Sequence, residues 1–122
     1  MARMIIVDSS AFMRGALKFI VENFGNEVIG STDTGQNAIE LCTELKPDML
    51  IIEISIREGM DGITTMKELK KINNRILVIV TFAPGEENLA EDAKTAGAVG
   101  QISKPFLAKN IGEELGRILK SK

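Results

Sequence analysis

Five polar side chains stand where apolar runs of this chain stop, and they are the candidates for chemistry. Asp8 and Ser9 follow Met4–Val7, Glu53 lies near the end of Met49–Ile54, Thr81 follows Ile76–Val80, and Lys104 follows Val99–Ser103, with Ser10 beside the first pair. Two carboxylates, hydroxyls and an ammonium brought into one cleft would hold a cation or a phosphate. With no His in the chain, His-ligated zinc, Ser-His-Asp triads and histidine phosphocarriers are excluded. Any site chemistry must therefore come from carboxylates, hydroxyls, amines and the backbone.

Each of these residues also has a purely structural reading. Asp8 can serve as a cap at the start of the first helix, and that reading weighs equally with a functional one. Thr81 suits a strand end on β propensity alone. A lone Lys104 would be a solvated lysine. Glu53 is different, because it is embedded in an apolar strand, where an unpaired carboxylate is costly. Lys104 is its natural partner. Cys42, on an apolar helix face, reads as core packing.

The elements that must position these residues follow from the hydrophobic period. Short apolar runs predict strands at Met4–Val7, Glu27–Ser31, Met49–Ile54, Ile76–Val80 and Val99–Ser103. Helical spacing links Met13, Ala16, Leu17, Ile20, Val21 and Phe24, with Ser9 or Ser10 as cap and Gly25 as stop. A second helix runs from Gly35 with Ala38, Ile39, Leu41, Cys42 and Leu45 on its buried side, ending before Pro47. Ile63, Met66, Leu69 and Ile72 mark a third, and Gly85–Gly97, with Leu89, Ala90, Ala93 and Ala96, a fourth. Ile111, Leu115, Ile118 and Leu119 mark the last. Strands alternating with helices predict an α/β fold: a doubly wound parallel sheet with helices on both faces. In such a sheet, ligands bind beyond the carboxyl ends of the strands, where the five polar residues lie.

Composition sets the outer limits. The 122 residues, 44% hydrophobic and 26% charged, are expected to form one globular domain spanning 1–122. A net charge of −2 with scattered basic residues gives no nucleic-acid footprint. No apolar run reaches the roughly 20 residues needed to span a membrane. One cysteine and no signal-peptide layout fit a cytoplasmic protein.

Three segments carry a family resemblance over essentially the whole chain: IIVDSSAFMR (5–14), KPDMLIIEISIREGMDGI (46–63) and GAVGQISKPF (97–106), together with the strand ending at Thr81. The chain resembles the receiver domain of two-component response regulators, most closely the stand-alone chemotaxis (CheY-like) type. The resemblance implies a flavodoxin-like, five-stranded parallel sheet of order 2-1-3-4-5 with five helices. It also implies a phosphoacceptor position at Glu53, an acidic pair at Asp8 and Ser9 that holds Mg²⁺ with the acceptor, and phosphoryl-binding positions at Thr81 and Lys104.

This sequence departs from the family pattern at the acceptor, the metal, the access and the readout. The acceptor is Glu, whose carboxylate reaches roughly 1.5 Å further than that of Asp. Phosphoryl transfer depends on placement, and an error of about 1 Å can cost about 10²-fold. Ser9 replaces an acid, so the Mg²⁺ site at Asp8 and Glu53 is expected to be weak or absent and no cofactor is expected. Phe82 stands where the family has Ala or Gly, in a position to obstruct a phosphoryl donor. Gln101 replaces the signalling Phe or Tyr, and Arg57 replaces a loop proline.

The expected function is therefore non-enzymatic: a pseudo-receiver in a phosphorelay pathway, meeting a histidine kinase or output protein. The expected surface is the helix 4–strand 5–helix 5 face, which carries Glu86, Glu87, Glu91, Lys94, Lys109, Glu113 and Arg117. The alternative is a working Mg²⁺-dependent phosphorylation switch, for which Asp8, Thr81 and Lys104 survive. A nucleotide or flavin binder ranks third, because the loops lack a glycine-rich phosphate cradle.

Overall fold

The computed structural model describes residues 1–120. Five strands, β1 (Arg3–Val7), β2 (Glu27–Thr32), β3 (Met49–Glu53), β4 (Leu77–Phe82) and β5 (Gly100–Ser103), form one parallel sheet. Their order is β2-β1-β3-β4-β5, as the resemblance implied. The helices are α1 (Ala11–Asn23), α2 (Gly35–Leu45), α3 (Gly62–Ile72), α4 (Glu87–Thr95) and α5 (Ala108–Lys120).

The central strands β1 and β3 are buried on both faces, which is why they read as unbroken apolar runs. Side chains alternate across the sheet and sort into two cores. Met4, Ile6, Met49, Ile51 and Ile79 pack against Leu17 and Val21 of α1 and Ile111, Leu115 and Ile118 of α5. Ile5, Val7, Leu50, Ile52, Val78 and Val80 pack on the other face against Ala38 and Cys42 of α2, Met66 and Leu69 of α3 and the alanines of α4. Cys42 is core, and burial pushes its thiol up to about 11.

Local signals set the helix starts. Ser10, rather than Ser9, caps α1 by accepting Met13 N–H at 3.2 Å. Thr34 and Asp61 do the same for α2 and α3. The end of α2 is held by Arg3, whose guanidinium donates to the Leu45 and Lys46 carbonyls.

Five sequence expectations needed correction. Phe24, placed on the buried stripe of α1, is 51% exposed and lies at the helix end, with its ring against Gly112 of α5. Leu89 and Ile72 are 39% and 57% exposed, because each stands at the margin of its helix's buried stripe. The strand after α3 begins at Leu77 and runs on to Phe82, and α4 is shorter than its bracketing glycines suggested.

Gly62 is the residue that lets α3 start directly against the end of β3. Its N–H donates to Ile54 O at 2.8 Å, and an added Cβ would meet Glu53 O at 2.3 Å. Gly15, in the middle of α1, has open space at the same position. Gly62→Ala is therefore expected to destabilise the fold by about 1–3 kcal/mol, and Gly15→Ala to stabilise it by about 0.5–1 kcal/mol. Urea unfolding of the two variants measures both.

Candidate functional site

The alternation that sorts the cores also assembles the site. Continuing each strand's alternation by one further step of two residues, on the face covered by α1 and α5, leads from Met4 and Ile6 to Asp8, from Met49 and Ile51 to Glu53, and from Ile79 to Thr81. Because β1, β3 and β4 are neighbours, these positions come together at the carboxyl edge of the sheet. Lys104, just beyond β5, reaches in from the side. Its peptide bond to Pro105 is cis, and its ammonium lies 5.9 Å from the centre of the Phe106 ring.

Lys104 is the hub. Its Nζ donates to Glu53 Oε2 at 2.8 Å and lies 3.0 Å from Asp8 Oδ2. The side chains of Lys104, Glu53 and Asp8 are only 16%, 15% and 3% exposed. Glu53 Oε1 accepts from both the Ser9 N–H and the Ser9 hydroxyl, each at 2.9 Å. The Ser9 hydroxyl in turn accepts from Arg57 N–H at 2.9 Å. Asp8 Oδ1 accepts from Ser10 N–H at 2.8 Å, so Asp8 both closes the turn into α1 and faces the lysine. Its Oδ2 has no well-aligned hydrogen bond, and the Lys104 charge is what compensates it.

Thr81 is 1% exposed, and its hydroxyl has no hydrogen-bond partner among the described residues. Its carbonyl accepts from Ile54 N–H. Phe82 is half-buried and packs against the core layer of α2, α3 and α4. Gln101 does not face the site; its side-chain amide donates to Ala90 O of α4 at 3.1 Å.

The family resemblance implies Mg²⁺, but the residues present do not fit that ion. It needs near-octahedral oxygen ligands and relies on carboxylates. Here both Glu53 oxygens and Asp8 Oδ1 already accept hydrogen bonds, and Asp8 Oδ2 faces an ammonium. The Ser9 oxygen is used in both directions. Among the described residues, no three His, Cys, Asp or Glu side chains cluster to hold a metal. The crevice beside Ser9, lined also by Asp33, Thr34, Arg57 and Glu58, measures about 100 Å³. Ligand pockets for small molecules measure roughly 300–1,000 Å³. A second groove of about 410 Å³, between Ser55, Asp61 and Lys67 on one side and Leu89 and Asp92 on the other, reaches that range but is open and carries no glycine-rich phosphate cradle.

Sequence reasoning singled out the residues of this cluster but missed the part played by Ser9. Read as a lost ligand, it is here a donor to Glu53. The signal was present in the pairing of a longer acceptor with a shorter, hydrogen-bonding neighbour.

Burial pushes the Glu53 carboxyl up, but the Lys104 ammonium and the two Ser9 donors outweigh it and hold it below its ordinary range. Burial pushes Lys104 down, but hydrogen bonding and charge from Glu53 and Asp8 outweigh it and raise it. A lowered folded pKa on Glu53 contributes stability above the unfolded value, about 4.3, which is lost as pH falls through the folded value. The stability gap between wild type and Glu53→Gln should thus be constant above about pH 5.5 and narrow below about pH 4.3. Lys104→Ala leaves two carboxylates facing each other and should cost about 1–3 kcal/mol. Adding Glu53→Gln should recover part of that loss, as urea denaturation across pH would show.

Comparison with known proteins places this chain in a family. The family model described as response regulator receiver domain matches residues 4–115. The chain is 40% identical to the chemotaxis protein CheY of Thermotoga maritima over 97% of its own length and 98% of that protein's. It is 38% identical to the chemotaxis protein CheY of Bacillus subtilis, over 96% and 97%. Among solved structures, a response regulator receiver domain protein from Clostridium thermocellum superposes with a TM-score of 0.89 at 23% identity, covering 99% of this chain and 96% of that one. With the sheet order and these matches in agreement, the chain belongs to the response regulator receiver domain family, as a CheY-like member of two-component signalling.

Proposed function

We propose that this receiver domain signals by protein contact without being phosphorylated. One observation carries the reading: the carboxylate at the acceptor position is fully engaged inside the protein. Glu53 Oε2 is held by Lys104, and Oε1 by two donors of Ser9. Nucleophilic attack on a phosphoryl donor would require Glu53 to leave these partners. It would also have to work from a chain one methylene longer than Asp. Two carboxylates against one ammonium leave a single net negative charge, so the cluster needs little help from a divalent cation. In this reading the protein is not an enzyme and works without bound Mg²⁺. It acts in the cytoplasm, meeting a histidine kinase or output protein through the face built by α4, β5 and α5. None of its described helices is long and apolar enough to cross a membrane.

The alternative is a Mg²⁺-dependent switch phosphorylated by a histidine kinase. The observation that favours it is the buried Thr81 hydroxyl, which has no partner among the described residues and would suit an incoming phosphoryl oxygen.

Intact mass after incubation with acetyl phosphate and Mg²⁺ separates the two. The proposal expects no phosphoryl adduct on the wild-type protein, and an adduct on Glu53→Asp combined with Ser9→Asp. Glu53→Asp alone, still lacking the second acid, should accept phosphate more slowly than the double variant. A stable adduct on wild-type protein, with changed affinity for a partner, would establish the switch instead.

A further inference from the structure

Helix α4 is anchored differently from its neighbours. α1 buries Leu17 and Val21, and α5 buries Ile111, Leu115 and Ile118, whereas the nine residues of α4 bury only Ala90 and Ala93. Two methyl groups remove little apolar surface from water, so other contacts must hold this helix to the sheet. Glu86 and Gln101 make such contacts. Glu86 occupies the N-cap position of α4 but does not cap it with its side chain. Its carboxylate reaches backward to Ala83 N–H at 2.8 Å and across to the Ser55 hydroxyl in the loop after β3. Its own N–H donates to Ala83 O at 3.0 Å. At the other strap, Gln101 on β5 donates from its side-chain amide to Ala90 O in the body of the helix.

We propose that Glu86 and Gln101 are positioning residues that strap α4 to the sheet and fix the face it shares with β5 and α5 in one arrangement. The first strap ties the loop after β4 to the loop after β3, two residues beyond Thr81 and Glu53 respectively, using only protein groups. The second uses the position where the family has an aromatic side chain, and pins it to α4. This deepens the proposed function and rests on it: the docking face is set by Ser55, Glu86 and Gln101, with no phosphoryl group required to order the loop.

Hydrogen exchange read by mass spectrometry tests the straps on the full chain. In Glu86→Ala combined with Gln101→Ala, α4 amides should exchange at least about tenfold faster, while β1 and β3 amides stay protected and report an intact fold. Ser55→Ala, which removes one surface hydroxyl, should speed α4 exchange by about two- to tenfold, the effect of one hydrogen bond. Wild-type α4 rates in both variants would overturn the straps, whatever the state of Glu53. Altered α4 exchange in wild-type protein on adding acetyl phosphate and Mg²⁺ would overturn the phosphorylation-independent arrangement. Unaltered exchange supports it.

Discussion

Two carboxylates side by side at the buried edge of a parallel sheet must be compensated, and that constraint governs the rest of this molecule's site. The order β2-β1-β3-β4-β5 makes β1 and β3 neighbours, so Asp8 and Glu53 converge however the loops are built. With the two side chains 3% and 15% exposed, water compensates them poorly. The Lys104 ammonium, 2.8 Å from one and 3.0 Å from the other, supplies the counter-charge. An ion pair of this kind adds little net stability over an apolar pair, yet breaking it exposes the full cost of a buried charge. It is better understood as a device that fixes geometry.

Glu53 and Ser9 are intelligible only together. An acid at position 9 would add a third negative charge facing the cluster and would call for a divalent cation. Serine removes that charge and adds its hydroxyl to the backbone N–H of position 9 as a second donor to the same oxygen of Glu53. The extra methylene of Glu53 fits this role, since its carboxylate reaches Lys104 with one oxygen and Ser9 with the other. Lys104, one of the two phosphoryl-binding positions the family resemblance implies, thus serves the protein's own side chain, while the Thr81 hydroxyl has no partner among the described residues.

Much of the fold was legible because the two central strands are buried on both faces and so read as apolar runs, and because α/β alternation permits few topologies. The convergence of Asp8, Glu53, Thr81 and Lys104 was legible for the same reason, once strand ends were assigned. Other features were not. Phe24 lies at helical spacing from Leu17 and Val21, but α1 ends there, and its ring turns to Gly112 of α5, a contact no local pattern encodes. Ser9's donation to Glu53 spans 44 positions, and the hydrogen bond from Ser55 to Glu86 spans 31. Composition and periodicity carry no information about such pairs. Gln101 read only as a departure from a family pattern; its bond to Ala90 depends on where α4 sits over β5.

If Lys104 and Ser9 already satisfy Glu53, as proposed, a metal has nothing to do there. The direct measurement is the Glu53 side-chain carboxyl titrated by carbon NMR, with and without millimolar Mg²⁺. The expected result is a pKa below the ordinary glutamate value of about 4.3, raised by Lys104→Ala and by Ser9→Ala, and unmoved by Mg²⁺. An ordinary or elevated pKa that falls when Mg²⁺ is added would contradict it, showing a carboxylate that waits for a cation.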